Sequence, residues 1–313
     1  MKGQLNQAVV FTKPMHHLGL PLTPVQLDGQ LRDFFGERGF AIVQSRTATG
    51  PELAARRIVR QHYLMYSKGS CIGSARELEL SGKAKIRFEE AFGKAWDAEV
   101  RAGRIVGNPA LMVEKGIDAA ALFNLWNPRF AEGETRKIQA GLLMAWIGEL
   151  DRYCINGFYP ILEEIFNHPA TELRYHVVEF DPGEVSWARF RKEILGSTNA
   201  AKADPKSFRG RLYSTYGAAL EYPGRDNFAH GSAGPLEGLV ERIVHEPDFD
   251  MQSNPVGRFL LERGIGLEMF KDWKSRQSVV RLGEIFDATE EKDTAEALGL
   301  LEPTVREMLR SVP

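Results

Sequence analysis

The stretch that decides the fold is NFAHGS at residues 227–232, which ends a long segment rich in Gly, Pro, Ser and Asn. Upstream in the same segment lie GSTN at residues 196–199 and PKSFRG at residues 205–210. Residues 198–227 show neither helical nor strand periodicity and predict a loop of a length that is uncommon in compact domains unless it is functional. The sequence therefore predicts a functional loop that leads into His230.

The same region is rich in cations. Guanidinium groups bind phosphate oxygens in a bidentate geometry, and a glycine-rich backbone brings amide donors close to a ligand. Lys13 adds a further cation at the end of a predicted strand, where side chains project into clefts. The pattern favours a small polyanion as ligand, and the alternative interpretation is a solvated basic loop with a stray histidine. The cations of the loop and its approach are Arg191, Lys192, Arg209, Arg211 and Arg225.

Outward from this loop, short apolar runs predict strands, and helical spacing predicts the elements between them. Residues 8–11, 40–43 and 175–180 are typical of buried strands, and a short fourth strand is expected near His230. Two of these strands precede residues 67–156 and one follows them, with helices between, which predicts an α+β sandwich. This order is compatible with a ferredoxin-like split β-α-β sandwich.

The character of the chain changes over residues 67–156, which we interpret as an all-helical insertion. Large apolar residues recur there at spacings of four, which is typical of the buried face of a helix. A helical C-terminal extension is expected over residues 251–313, which leaves residues 1–66 and 157–250 as the main domain. The two apolar series are Phe88, Phe92, Trp96 and Val100, and Ile138, Leu142, Trp146 and Leu150.

The composition is that of a water-soluble globular protein. The chain has 313 residues, of which 43% are hydrophobic and 26% are charged. The net charge of -2 gives no electrostatic reason to expect nucleic acid or an anionic membrane as a partner. No apolar stretch approaches the ~20 residues of a membrane span. We expect a cytoplasmic protein with neither of those partners.

The metal-binding residue types form no recognisable site. Cys71 and Cys154 are the two cysteines, and they have neither metal-ligand spacing nor a disulfide framework, which suits a reducing compartment. The adjacent His16 and His17 lack a carboxylate or cysteine companion at ligand spacing. We therefore expect no metal held by the protein alone.

The order of the motifs resembles the nucleoside diphosphate kinase family. In that family a Gly-x-Thr-Asn turn precedes Pro-Gly-x-Ile-Arg-Gly, and Asn-x-x-His-Gly-Ser holds the phosphorylated histidine. The interval of 11 residues from Thr198 to Arg209 fits the family pattern without a gap. The resemblance covers residues 7–66 and 157–244 and leaves out the insertion and the tail. It further includes VVFTKP at 9–14, RDFFGERGFAIV at 32–43, the pair His62-Tyr63, and GFY at 157–159.

The resemblance implies a phosphotransferase that works through a phosphohistidine. His230 would take the terminal phosphate of a nucleoside triphosphate and pass it to a nucleoside diphosphate. Tyr159 would stack on the base, and Mg²⁺ would be carried by the nucleotide phosphates. A homo-oligomer is also implied. Catalytic roles are implied for His230, Lys13, Tyr63 and Glu241, and nucleotide contacts for Lys13, Tyr159, Lys192, Thr198, Arg209 and Asn227.

The partner that orients the histidine depends on the local register. A nucleophilic imidazole needs a hydrogen-bond partner on its second nitrogen. Glu241 lies 11 residues after His230, which is the family's distance for its orienting glutamate. An extra residue within 233–235 would shift the register and bring Arg242 to that place. The sequence favours Glu241 and leaves both interpretations open.

Three departures from the family pattern keep a second function open. Met15 and Ala233 stand where the family has acidic residues, and Lys192 stands where it has an arginine. A lysine keeps the charge but loses the bidentate fork. The alternative is a nucleotide-binding regulatory or scaffolding module with the same fold and little or no turnover.

Overall fold

The computed structural model of the protein describes residues 4–78, 80–139 and 141–310. Residues 1–3, 79, 140 and 311–313, which fall inside the predicted domain ranges, lie outside the described residues. The chain divides into two compact units. The first unit comprises residues 1–58, 166–276 and 285–313, and the second comprises residues 59–165 and 277–284.

Among the described residues the chain forms 7 strands and 16 α-helices. The strands are β1 (Asn6–Thr12), β2 (Ala41–Thr49), β3 (Arg136–Gln139), β4 (Leu142–Ile147), β5 (Arg152–Ile155), β6 (Glu172–Phe180) and β7 (Ala229–Gly231). The helices are α1 (Pro24–Gly36), α2 (Gly50–Ala55), α3 (Ile58–His62), α4 (Leu64–Ser70), α5 (Gly82–Phe92), α6 (Trp96–Arg101), α7 (Asn108–Lys115), α8 (Ala119–Ala131), α9 (Tyr159–Asn167), α10 (Trp187–Arg189), α11 (Phe208–Tyr216), α12 (Pro235–His245), α13 (Pro255–Glu262), α14 (Leu267–Arg276), α15 (Val279–Thr289) and α16 (Thr294–Arg310). A π-helix at Phe190–Leu195 continues α10.

The first unit is built on a four-stranded sheet in the order β2-β6-β1-β7, with antiparallel neighbours throughout. All seven residues of β1 are buried, as expected of a strand with both faces covered. Helices together with antiparallel sheets confirm the predicted α+β fold. The strands predicted at residues 8–11, 40–43 and 175–180 form β1, the start of β2 and most of β6.

One face of this sheet carries the main core of the first unit. Helix α1 begins at a capping box, in which Thr23 and Gln26 satisfy each other's backbone N–H groups and Pro24 occupies the first turn. Its buried face packs with alternate residues of β1, with Trp187 of α10 and with Phe190 of the π-helix. Members of this core include Ala8, Val10, Leu27, Leu31, Phe34, Phe35, Trp187 and Phe190.

The prediction that residues 67–156 are all helical is wrong. A three-stranded antiparallel sheet in the order β3-β4-β5 lies in the second unit. A spacing of four is even, so it fits the two-residue repeat of a strand as well as a helical turn. Gly141 at φ +67 immediately precedes β4, and Asp151 at φ +51 immediately precedes β5; left-handed backbone at these positions lets the chain reverse. Trp146 lies partly exposed on β4.

The first apolar series within residues 67–156, from Phe88 to Val100, does lie on helices. Residues 82–101 are helical but form two helices, α5 and α6, because Gly93 adopts φ +64 and ends the first. Phe88 is completely buried and packs against Trp96 and Tyr153. This part of the second unit is therefore a small mixed layer of helices and sheet.

The prediction of a structureless loop over residues 198–227 is also wrong, because α11 lies within it. Ser207 caps this helix by accepting a hydrogen bond from the N–H of Gly210 at 3.1 Å. A Cβ atom at Gly210 would lie 1.9 Å from the carbonyl oxygen of Asp204, so only glycine permits the turn that starts the helix.

No helix among the described residues combines the length and the apolar character needed to cross a membrane.

Candidate active site

The candidate site centres on His230, which lies on the short strand β7. In the sheet His230 pairs with Phe11 of β1, and the two rings stack with centroids 4.6 Å apart. The His230 side chain is 17% exposed. Phe228, with φ +70, turns the chain just before β7, and its carbonyl accepts the N–H of Lys13 at 2.8 Å. The sheet thus places the ends of β1 and β7 side by side.

Glu241 of α12 holds the imidazole on one side. The Nε2 atom of His230 lies 2.8 Å from Oε1 of Glu241. The other carboxylate oxygen, Oε2, accepts the hydroxyl of Ser232 at 2.5 Å. Ser232 itself accepts the N–H of Val9 at 2.8 Å, which ties the pair to β1. A carboxylate fixed at both oxygens can fix the plane of the ring that it contacts.

The register of α12 brings Glu241 to this position. Pro235 begins the helix, and Gly238 faces β1 so closely that a Cβ atom would lie 2.9 Å from the carbonyl oxygen of Gln7. Glu241 therefore faces His230. The alternative residue, Arg242, is buried in a pair with Glu246 at 2.7 Å and lies on the neighbouring helical face.

Cations surround the imidazole and depress its proton affinity. Burial, together with the positive charges of Lys13 and Arg209 and a further contribution from Arg191, holds the pKa of His230 well below its ordinary value. The ring is therefore neutral near pH 7, which is the state required of a nucleophile. Burial and the neighbouring Arg209 also lower the pKa of Lys13 to about 7, although Asp226 opposes them.

Lys13 is held at the loop that precedes His230. Its Nζ atom donates to the carbonyl of Arg225 at 3.2 Å. Asp226, the next residue, accepts the Arg225 guanidinium at 2.7 Å and His17 at 3.1 Å. Burial would raise the pKa of Asp226, but these two partners hold it below its ordinary value. His17 thus serves as a partner of Asp226 in this structure.

Asn227 and Thr198 meet across the loop. The side chain of Asn227 is 1% exposed, and its Nδ2 atom donates to the carbonyl of Thr198 at 2.7 Å and to that of Gly224 at 3.0 Å. Its Oδ1 atom is buried with no partner among the described residues. The Thr198 residue is exposed. A buried acceptor with this geometry can receive a hydrogen bond from a ligand.

Arg209 lies beside His230 but is engaged by backbone. Its guanidinium donates to the carbonyl of Gly196 at 2.7 Å and to that of Ala229 at 2.7 Å, and the residue is 7% exposed. Gly196 has φ +96, a conformation that favours glycine. Arg209 therefore joins the two glycine-bearing motifs and adds positive charge to the site.

The remaining predicted residues lie on other elements of the structure. Lys192 is on the π-helix, exposed, and paired with Glu291 at 3.0 Å. Tyr63 and Tyr159 belong to the second unit. Tyr159 is completely buried, so its ring would have to leave its present position to stack on a base. Met15 is buried in the core of the first unit. The roles implied for these residues stay predictions.

Sequence reasoning assigned no role to several residues that shape the site. Ser232 was visible within NFAHGS, and a hydroxyl two residues after the histidine was the signal that could have found it. Glu237 lies on α12, and burial, with contributions from Glu241 and Glu290, raises its pKa to about 8. Glu290 lies 60 residues beyond His230, and nothing in its sequence surroundings connects it with the site.

Comparison with known proteins adds a weak structural likeness. No family model matches the chain, and no curated protein matches its sequence. One similar solved structure is the crystal structure of an NDP kinase from Pyrobaculum aerophilum. It shares 12% sequence identity, covers 78% of this chain and 97% of its own, and has a TM-score of 0.37. Similarity at this level does not place the chain in a family.

Proposed function

We propose that the protein is a phosphotransferase of the nucleoside diphosphate kinase type, in which His230 carries the phosphate. The observation that carries the proposal is the imidazole of His230, which is fixed through Nε2 by Glu241 at 2.8 Å and lies among cations that hold its pKa low. A neutral, oriented imidazole beside positive charge suits attack on a polyphosphate. The substrates would be a nucleoside triphosphate and a nucleoside diphosphate.

The proposed reaction has two balanced steps. Because Nε2 is bonded to Glu241, the lone pair of Nδ1 attacks the terminal phosphorus, and the P–O bond to the leaving diphosphate breaks. The positive charge that develops on the ring is stabilised by the Glu241 carboxylate through the Nε2–H. A terminal oxygen of a second nucleoside diphosphate then attacks the phosphorus, and the N–P bond breaks to restore His230. No proton needs to leave the ring in either step.

The chain's cations would balance the charge of the transferred group. Lys13 is close to the imidazole, and its charge would stabilise the phosphoryl oxygens. Asn227, with its buried Oδ1 acceptor, fits a ribose hydroxyl. Ala233 offers no carboxylate at the position that follows His-Gly-Ser. Mg²⁺ would arrive on the nucleotide and neutralise part of the phosphate charge.

The topology and the motifs support the same proposal. The sheet order β2-β6-β1-β7, with α1 between β1 and β2, is the order expected of a ferredoxin-like split β-α-β sandwich. NFAHGS, the motif that most resembles the kinase family, contributes His230 and Ser232. Glu241 contacts both of these residues.

Specific contacts favour the second candidate, a nucleotide-binding module with little turnover. Arg209 already donates to two backbone carbonyls. Lys192 is paired with a carboxylate, and Tyr159 is buried. Phosphate and base contacts would then require rearrangement. Under this proposal the protein binds nucleotide in another conformation and transfers phosphate slowly or not at all.

Phosphate labelling separates the two candidates. Incubated with γ-labelled ATP and Mg²⁺, the wild-type protein should acquire one phosphate that is labile in acid and stable in base. His230→Ala should abolish the label, because the substitution removes the nitrogen that forms the bond to phosphorus. Glu241→Gln should retain part of the labelling rate, because an orienting partner tunes the imidazole without forming the bond.

His168→Ala is the matched control, since His168 is an exposed histidine of the first unit outside the site. It should label like the wild type. Equal labelling of His230→Ala and wild type would contradict the site assignment. A folded wild-type protein that binds ATP and never labels would support the module instead.

A further inference from the structure

Two glutamates near the C-terminus form ion pairs with cations beside the candidate site. Residues 289–294, TEEKDT, run from the last residue of α15 to the first residue of α16, and we name them the acidic segment. Glu290 forms an ion pair with Arg191 of the π-helix. Glu291 reaches the same guanidinium at 3.3 Å and Lys192 at 3.0 Å. Both cations are thus neutralised within the chain.

The acidic segment is fastened to the loop that carries His230. The N–H of Glu291 donates to the carbonyl of Ala233 at 3.0 Å. A Cβ atom at Gly234 would lie 2.6 Å from the carbonyl oxygen of Thr289, so the glycine permits this approach. Glu291 has φ +58, which is unfavourable for a residue with a Cβ atom. The surrounding contacts therefore hold it in an unfavourable conformation.

The far end of the segment is anchored to the sheet. Asp293 accepts the backbone N–H of Trp187 at 2.7 Å and the side-chain amide of Asn6 at 2.7 Å. Thr294 donates its N–H to Oδ1 of Asn6 at 2.8 Å. These bonds reach β1 and α10, so the position of Glu290 and Glu291 is set by contacts on both sides of them.

Part of the positive charge near the site is balanced without any ligand. Lys13, Arg191 and Arg209 all contribute to the lowered pKa of His230, so Arg191 acts within the field of the site. A polyphosphate brings several negative charges and needs an excess of cations. With Glu290 and Glu291 in place, two of the local cations are already occupied by carboxylates.

We propose that the acidic segment is a built-in competitor for anionic ligands, in which Glu290 and Glu291 must leave Arg191 and Lys192 before a polyphosphate can use them. The inference rests on the proposed function for the identity of the ligand as a nucleoside polyphosphate. The two states of the segment, docked and displaced, would regulate the affinity of the site. A ligand that binds only the displaced state has a lower apparent affinity, because part of its binding free energy is used to displace the segment.

The test is calorimetric titration of the full chain with inorganic tripolyphosphate and, separately, with ATP. E290Q/E291Q keeps the side-chain shapes but removes both charges. It should bind tripolyphosphate about tenfold more tightly than the wild type at low ionic strength, which is the size expected for two partly exposed ion pairs. Added salt should shrink the difference. The single variant E291Q should show an intermediate gain, and it provides the same test if the double variant does not fold.

The matched control is E268Q/E302Q, which removes the same charge from an Arg pair and a Lys pair. Glu302 pairs with Arg263 at 2.5 Å, and Glu268 with Lys271 at 2.9 Å. Its affinity should stay within about twofold of the wild type. The proposal that the acidic segment competes with ligands is overturned if the folded E290Q/E291Q, or E291Q in its place, binds tripolyphosphate no more tightly than the wild type. It is also overturned if the control gains equally. Failure of the proposed function has a different signature, the absence of acid-labile label on His230 in every variant.

Discussion

At the scale of single residues, the pKa values of His230 and Lys13 are both lowered. The lower pKa preserves the neutral form of the histidine but removes the charge of the lysine at alkaline pH. Burial and nearby cations hold the pKa of His230 well below its ordinary value, so the neutral form that the proposed transfer needs is preserved on the acid side. Burial and Arg209 bring the pKa of Lys13 down to about 7, so its charge is lost on the alkaline side. The pH range of activity should therefore be set mainly by the lysine.

We expect kcat/KM for phosphate transfer to stay level down through pH 6.5 and to decline above about pH 7. The ratio kcat/KM reports the free enzyme, in which no bound phosphate restores the lysine charge. Steady-state rates between pH 5 and 9 would measure the profile. Lys13→Arg is the comparison, because a guanidinium keeps its charge across this range, and its remaining activity should lose the alkaline decline. An acid limb centred on pH 6.5 in the wild type would contradict the neutral, buried imidazole.

At the scale of elements, the start of α11 depends on one glycine. A Cβ atom at Gly210 would overlap the carbonyl oxygen of Asp204, whereas one at Gly29 in α1 would meet nothing within 4 Å. Gly210→Ala should therefore lower the free energy of unfolding by more than about 2 kcal/mol through backbone displacement. Gly29→Ala should raise it by roughly 0.5–1 kcal/mol, because alanine restricts the unfolded chain and favours a helix.

Urea unfolding of the two variants measures both changes. Each variant adds one methyl group to a helix. Opposite changes in the free energy of unfolding would therefore come from the atoms that surround each glycine. Equal stabilisation by both substitutions would show that Gly210 does not approach the carbonyl oxygen of Asp204 in a close turn. Loss of the turn should also displace Arg209, so Gly210→Ala is expected to bind ATP more weakly, and Gly29→Ala to bind it unchanged.

The elements show which parts of the fold could be predicted from the sequence. The strand β1 was predictable because its apolar run at residues 8–11 is continuous, and β6 because Tyr175, Val177, Val178 and Phe180 lie close together. The β3–β4–β5 sheet was not, because Ile138, Leu142 and Trp146 recur at a spacing that suits both helix and strand, and the turns at Gly141 and Asp151 decide between them. In the site, a short-range motif indicated His230, and a fixed interval indicated Glu241.

At the scale of the molecule, the C-terminal helices α13, α14 and α16 belong to the same compact unit as β1. The sequence predicted residues 251–313 as an extension, and the contacts that bind them to the unit join residues far apart in the chain. Asn6 bonds to Asp293 and Thr294, a separation of 287 and 288 residues. No local pattern reveals such pairs, because each partner alone looks like an ordinary polar residue.

We expect these helices to contribute to the stability of the first unit, and two adjacent leucines of α16 test this. Leu301 is 3% exposed and lines a small apolar cavity with Leu236 of α12, Leu260 of α13 and Trp273 of α14. Leu300 is 45% exposed. Leu301→Ala should lower the free energy of unfolding by about 2–4 kcal/mol, because a buried side chain is lost and a cavity remains.

Leu300→Ala is the matched control and should change the free energy of unfolding by less than about 0.5 kcal/mol. Both variants carry the same leucine-to-alanine change in helix propensity, so their difference isolates burial. Urea denaturation of the full chain, followed by tryptophan fluorescence, gives the values. Trp273 lines the same cavity as Leu301, so its emission should also respond to Leu301→Ala in the native state. Equal, small effects of the two substitutions would mean that α16 does not pack on α12, α13 and α14, and the C-terminal helices would then be a separate extension.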